Sequence, residues 1–161
     1  MLSGNQLTSV PAELGGLTAL KFLYLGGNRL TSVPAELGFL TSLKELTLNG
    51  NQLTSVPAEL GALTALTMLY LSENRLTSVQ AELFGRGGMG RRRWRAGDAA
   101  GGALTALRRL SLSGNQLTSV PAELGTLTTL NRLFLNDNQL TSVPAEWEEA
   151  WAYTRPLFSS T

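Results

Sequence analysis

Residues 43–65 read LKELTLNGNQLTSVPAELGALTA, and the spacing of the apolar positions in this stretch decides the fold. Leu46 and Leu48 flank Thr47, a period of two that puts both leucines on one face of a short strand and Thr47 on the other. Asn51 follows where the chain must leave the strand. Its amide carries two donors and an acceptor that can bond the backbone of adjacent turns once buried. Leu53, Val56, Leu60 and Leu63 then return at spacings of three and four, which folds the second half back onto the strand leucines as a short helical turn. Pro57 suits the first helical position, where a missing N–H costs nothing. Glu59 complements the helix dipole from the first turn, and Gly61 ends that turn.

The unit recurs along the chain. LTSVPAE begins at Leu7, Leu30, Leu53, Leu117 and Leu140, and at Leu76 with Gln80 in place of the proline. The asparagines fall at Asn5, Asn28, Asn51, Asn74, Asn115 and Asn138, at intervals of 23 except for one of 41, which is a period plus 18 residues. Nearly complete units start at Leu20, Leu43, Leu66, Leu107 and Leu130, with a partial unit over residues 1–19. Stacked copies place their strands side by side in a parallel sheet and their asparagines in a ladder, which makes the predicted class α/β. No unit can bury both of its apolar faces alone. Each leucine yields about 1.5–3 kcal/mol only when a neighbouring unit covers it.

Spelled out as L-x-x-L-x-L-x-x-N-x-L, the unit resembles the leucine-rich repeat family. The proline in L-T-S-V-P-A-E-L is most similar to the intracellular Ras-group type, with Val10, Val33, Val56, Val120 and Val143 where that group carries leucine. The resemblance spans residues 1–147 apart from one insertion. It implies a curved, right-handed solenoid with a short parallel sheet on its concave face. It also implies a noncatalytic scaffold that binds a protein partner through that face.

Composition agrees with a scaffold. The 161 residues include no His and no Cys, which removes the ordinary neutral-pH general base and the commonest zinc and thiol chemistries. No cofactor, metal site or catalytic residue is expected. Glu13, Glu36, Glu59, Glu82, Glu123 and Glu146 form a row that mimics a paired-carboxylate site, yet all six occupy the same slot of the repeat and nothing makes any two of them different. The amino terminus does not read as a signal peptide, and no run of eighteen apolar residues occurs, so no membrane partner is expected and the cytoplasm is the default compartment. The first unit lacks its first four positions, so either its edge is exposed or the chain belongs to a longer array.

Because the L-T-S-V-P-A-E-L half barely varies between copies, recognition must come from the variable strand positions. Those beside the inward leucines are Phe22 and Tyr24, Glu45 and Thr47, Met68 and Tyr70, Arg109 and Ser111, and Arg132 and Phe134. Phe22, Tyr24, Glu45, Thr47, Met68, Tyr70, Arg109, Arg132 and Phe134 are the expected partner-binding residues, since Tyr, Phe, Met and Arg are enriched in interfaces. The competing explanation is that aromatic residues are simply good cross-strand neighbours.

Two segments depart from the repeat. Residues 84–101, FGRGGMGRRRWRAGDAAG, carry five Arg and one Asp and are expected to form a flexible loop on the convex side. Arg86, Arg91, Arg92, Arg93, Trp94 and Arg95 offer an alternative, RNA-associated function, with arginines on phosphate and the indole stacking on a base. Residues 148–161 are expected to be a cap or a tail. In the cap, Trp147, Trp151, Tyr153, Leu157 and Phe158 cover the last unit, and Pro156 stops the sheet from propagating.

Overall fold

The computed structural model describes residues 1–85, 103–145 and 147. Five three-residue strands, β1 (Phe22–Tyr24), β2 (Glu45–Thr47), β3 (Met68–Tyr70), β4 (Arg109–Ser111) and β5 (Arg132–Phe134), pair in chain order as one parallel sheet. The inward leucines align across it, Leu23 with Leu46, then Leu69, Leu110 and Leu133. Residues 2–4 extend the same pattern, because the Leu2 and Gly4 N–H groups donate to the Tyr24 and Gly26 carbonyls at 3.0 and 2.9 Å. The result is a leucine-rich solenoid with strands on one side and short 3-10 turns on the other.

The helical element of each coil is 3-10 and not α. Ala35–Phe39 and Ala58–Ala62 are typical, with the Leu60 N–H donating to the Pro57 carbonyl at 3.2 Å and the Leu63 N–H to the Leu60 carbonyl at 3.2 Å. A 3-10 turn rises about 2.0 Å per residue against about 1.5 Å for an α-helix, so it crosses the back of a short coil in fewer residues. The prolines differ from the sequence expectation. Pro57 precedes the turn in extended conformation, with φ −67° and ψ 142°, and serves as the acceptor of its first hydrogen bond. Its ring fixes the φ that the entry requires.

The glycine after each turn leucine also has a different role from the expected helix stop. Gly15 and Gly38 lie inside their turns, and a Cβ on either would sit 2.3 or 2.4 Å from the backbone oxygen of Glu36 or Glu59 in the next coil. Here glycine permits backbone-to-backbone approach between coils. Phe84 takes the equivalent place in the fourth coil and is fully buried, so the core extends one residue past Leu83 and Phe84 is not part of a flexible loop. The Leu104 N–H reaches the Leu83 carbonyl at 3.3 Å, the counterpart of the Leu63 to Leu60 bond. The insertion is therefore closed at its base by an ordinary repeat hydrogen bond.

Asparagine joins each coil to the one before. Asn51 accepts from the Leu30 N–H at 3.0 Å and donates to the Leu25 carbonyl of the preceding coil and the Leu48 carbonyl of its own, both at 3.0 Å. Asn28, Asn74, Asn115 and Asn138 repeat this arrangement. Asn5 does not. It is exposed and reaches only the Leu2 and Ser3 carbonyls, because no described coil precedes it.

The residue before each asparagine is left-handed. Gly27, Gly50 and Gly114 have φ between 64° and 66°, whereas Glu73 and Asp137 adopt φ 54° and 55°. That conformation costs a residue bearing Cβ about 1–2 kcal/mol.

Leucine dominates the core, and Leu46, Leu48, Leu53, Leu60, Leu63 and Leu66 are wholly inaccessible. In the first coil Leu7, Val10 and Leu14 are only partly buried, as is Leu20 where the next begins, and Leu17 is 54% exposed. At the opposite end Trp147 stands in the slot of Leu60 and Leu124 and is buried. Its Nε1–H donates to the Ala122 carbonyl at 3.3 Å, and its ring occupies the space a side chain on Gly125 would need. Trp151, Tyr153, Pro156, Leu157 and Phe158 of the expected cap lie outside the described residues.

Two expected outcomes concern stability. Asn51→Ala strands buried backbone groups on two coils and loses about 1–3 kcal/mol in urea unfolding, while Asn5→Ala stays within about 0.5 kcal/mol of the parent. Equal effects would mean that the inter-coil bonds contribute nothing. Glu73→Gly relieves a left-handed glutamate and raises the midpoint of urea unfolding, stabilising the fold by up to about 1 kcal/mol once the added chain entropy of glycine is subtracted. A lower midpoint would show that the glutamate side chain outweighs its backbone strain.

Candidate functional site

The inward leucines fix which side chains face away from the core, and the parallel register lines these up in columns. The first column runs Phe22, Glu45, Met68, Arg109, Arg132 and the second Tyr24, Thr47, Tyr70, Ser111, Phe134. All nine expected partner-binding residues are thus brought onto one face of the sheet. They are not equally accessible: Phe22 is 50% and Phe134 40% exposed, Arg132 is exposed, and Glu45, Thr47, Met68, Tyr70 and Arg109 are half-buried.

Side chains on this face interact across strands. The Tyr24 hydroxyl donates to Glu45 Oε2 at 3.3 Å, and the Tyr24 ring stacks on Phe22 with centroids 6.4 Å apart. Arg109 Nη1 donates to the Tyr70 hydroxyl at 2.9 Å, and that hydroxyl points to Met68 Sδ at 3.6 Å. Ser111 is buried between Tyr70 and Phe134, where its hydroxyl pairs with that of Ser72. One end of the face is therefore aromatic and acidic and the other basic, with buried Ser111 standing between Tyr70 and Phe134 in the second column.

This arrangement alters the acidity of Tyr24. Burial against the sheet pushes its pKa above the ordinary tyrosine value, and the Glu45 carboxylate adds to the shift both by its charge and by accepting the phenolic proton.

Elsewhere the chemistry is sparse. The glutamates of the described turns, Glu13, Glu36, Glu59, Glu82 and Glu123, each sit in the first turn of an equivalent segment. Among the described residues no group of three or more His, Cys, Asp or Glu is placed to hold a metal, and no helix is long and apolar enough to cross a membrane. A groove of about 290 Å³ opens at the base of the insertion, between Phe84, Ala103, Thr126 and Thr128, and among the described residues no charged side chain lines it. Arg86, Arg91, Arg92, Arg93, Trp94 and Arg95 lie outside the described residues.

Sequence reading missed the left-handed Glu73 and Asp137. Their signal was present in the column Gly4, Gly27, Gly50, Glu73, Gly114, Asp137, in which glycine predominates immediately before the asparagine.

Comparison with known proteins agrees with this geometry. A family model described as a leucine rich repeat matches residues 23–76 and 41–86, and another, described as two copies of leucine rich repeats, matches 105–147. The solved structure of a leucine-rich repeat protein from Leptospira interrogans is similar at 37% sequence identity and a TM-score of 0.78. The similarity covers 92% of this chain and 33% of that one, so the chain spans about a third of the length of that protein. No curated protein matches the sequence.

The tyrosine contact gives a pH-dependent expectation. With its folded-state pKa raised, Tyr24 favours the folded chain below the ordinary tyrosine pKa, and that contribution disappears as pH rises through the raised value. Ultraviolet titration of tyrosinate should show one group ionising late, absent in Tyr24→Phe and moved to lower pH in Glu45→Gln. An unchanged titration in Glu45→Gln would rule out the carboxylate as a cause.

Proposed function

The chain belongs to the leucine-rich repeat family, and from that membership we propose that it is a noncatalytic interaction scaffold that holds a protein partner against the outward face of its sheet. Members of the family commonly bind proteins and are typically noncatalytic. The observation that carries the reading is the row of exposed or half-exposed Phe22, Tyr24, Met68, Tyr70 and Phe134 on the face where the repeat varies most. Fold stability does not require bulk at these sites, because the leucines on the other face supply the core. Phe22 and Phe134 leave apolar surface in water that a partner can cover, and Tyr and Arg supply the anchor types that dominate binding energy.

The lack of cysteine suits a reducing compartment, and the cytoplasm is the proposed location. The alternative of RNA association through residues 84–101 draws on sequence composition alone.

Phe39 supplies an internal control, being 63% exposed yet on a 3-10 turn and not on the sheet. A photoreactive phenylalanine analogue at Phe22, Met68 or Phe134 should cross-link the same discrete protein in cells, while the analogue at Phe39 should not. The triple change of Tyr24, Tyr70 and Phe134 to Ala should abolish that adduct with the melting temperature shifted by only a few degrees. Adducts formed from Phe39 alone, or a triple variant that no longer folds, would overturn the reading.

A further inference from the structure

We infer that the segment bound on this face is acidic and extended, with one carboxylate seated between Arg109 and Arg132 and an apolar side chain in the notch above Ser111. The inference rests on the sheet face being the binding surface and names the chemistry of what binds there.

Arg109 and Arg132 are Cα partners in the pairing of β4 with β5. Neighbouring strands lie about 4.8 Å apart, and like charges placed directly opposite destabilise a sheet. The fold gains nothing from this pair, and among the described residues neither arginine forms an ion pair. The acid in their column, Glu45, is two strands from Arg109, roughly 10 Å away, and its carboxylate already accepts from Tyr24. Asp137 lies beyond the end of β5, in the turn out of the sheet, and forms no ion pair with Arg132. Among the described residues neither arginine therefore has a counter-charge, with Arg132 exposed and half-buried Arg109 reaching the Tyr70 hydroxyl. Arg109 is also pre-oriented by its bond to the Tyr70 hydroxyl, which lowers the entropy lost when it grips a carboxylate.

The second column places an apolar contact beside that charge. Between Tyr70 and Phe134 the side chain is only Ser111, buried and already bonded to Ser72, so the notch has aromatic walls and a floor whose hydroxyl is satisfied. The two columns are two residues apart along each strand, about 6.6–6.8 Å. In an extended partner, side chains two residues apart share one face at the same spacing. The fitting segment therefore pairs Asp or Glu with a bulky apolar residue at i and i+2. A polyanionic nucleic acid fits less well, because it needs a continuous basic track and Met68 and Glu45 interrupt this one.

Selection of a random peptide-display library on the intact chain tests this, with enriched peptides then measured by fluorescence anisotropy beside an oligouridine. Enriched peptides are expected to carry an acid two positions from an aromatic or aliphatic residue. Changing that acid to its amide, or using the Arg109→Glu/Arg132→Glu chain, should weaken binding roughly tenfold or more. Should charge reversal disturb folding by circular dichroism, Arg109→Gln/Arg132→Gln serves in its place. Peptides indifferent to the arginine changes but lost on the Tyr24, Tyr70, Phe134 alanine variant overturn the acidic partner and leave the sheet face as the binding surface. An empty selection, or peptides indifferent to both variants, overturns the sheet-face reading as well. Oligouridine bound more tightly than every acidic peptide overturns the inference in favour of nucleic acid.

Discussion

The hydrogen bonds that one asparagine makes to two coils at once are the constraint from which the rest follows. Asn51 sits where the chain turns out of the sheet, and its side chain bonds the Leu30 N–H and the Leu25 and Leu48 carbonyls there. Satisfying them from a single side chain requires the preceding coil at a fixed height and in a fixed register, since buried backbone groups left unpaired cost about 1–3 kcal/mol each. The register in turn sets the repeat length. Each uninterrupted coil returns to the same point after 23 residues, and the 3-10 turn with its extended proline entry is a route across the back that does so. Glu36 and Glu59 close the stack from the other side, their carbonyls resting on glycines that have no Cβ to block them.

Much of this is legible in the sequence, because the bulk signals are repeated and physically redundant. Alternation of Leu46, Thr47 and Leu48 fixes the faces of the strand, and the same alternation in five coils identifies the sheet-face columns without coordinates. What escaped notice depends on geometry between coils. Gly38 reads as a helix stop until the Glu59 carbonyl is found against it. The left-handed position is disguised by glycine, which tolerates any φ, and only Glu73 and Asp137 expose it as a requirement. Phe84 reads as the first residue of a low-complexity loop because its neighbours in sequence are glycine and arginine, yet the space beyond Leu83 is apolar and takes the ring. For the candidate residues, their common place on the sheet face was legible and their mutual contacts were not. Tyr24 with Glu45 and Arg109 with Tyr70 arise from cross-strand register and rotamer, which no single repeat encodes.

Constancy and variation divide the molecule by task. Leucine and asparagine recur in every coil, and proline and the turn glycine in most, because each coil presents the same demand to its neighbour, so they describe stacking. The sheet face has no such demand. Its positions alternate with buried leucines and can change in charge and size at little cost to the core, which is why an acid, a thioether and two arginines can share one column.

The insertion tests that division most severely. It lengthens one coil by 18 residues, yet β3 pairs with β4 in the register used by every other pair, Met68 opposite Arg109 and Tyr70 opposite Ser111. Two features preserve that register. The Leu104 to Leu83 hydrogen bond rejoins the chain where an unbroken coil would continue, and Asn115 spans the longer interval to the Leu76 N–H and the Leu71 carbonyl at 3.0 Å each. Loop closure entropy grows only logarithmically, about 0.6 kcal/mol per doubling, so the fold carries the extra length at small cost. The sheet face consequently runs unbroken from Phe22 to Phe134. The arginine that bonds Tyr70 comes from beyond the insertion, and the notch between Tyr70 and Phe134 is built from coils on either side of it. A binding surface on this face is therefore a property of the stacked coils as a whole, held in alignment by the same asparagine bonds that hold the core.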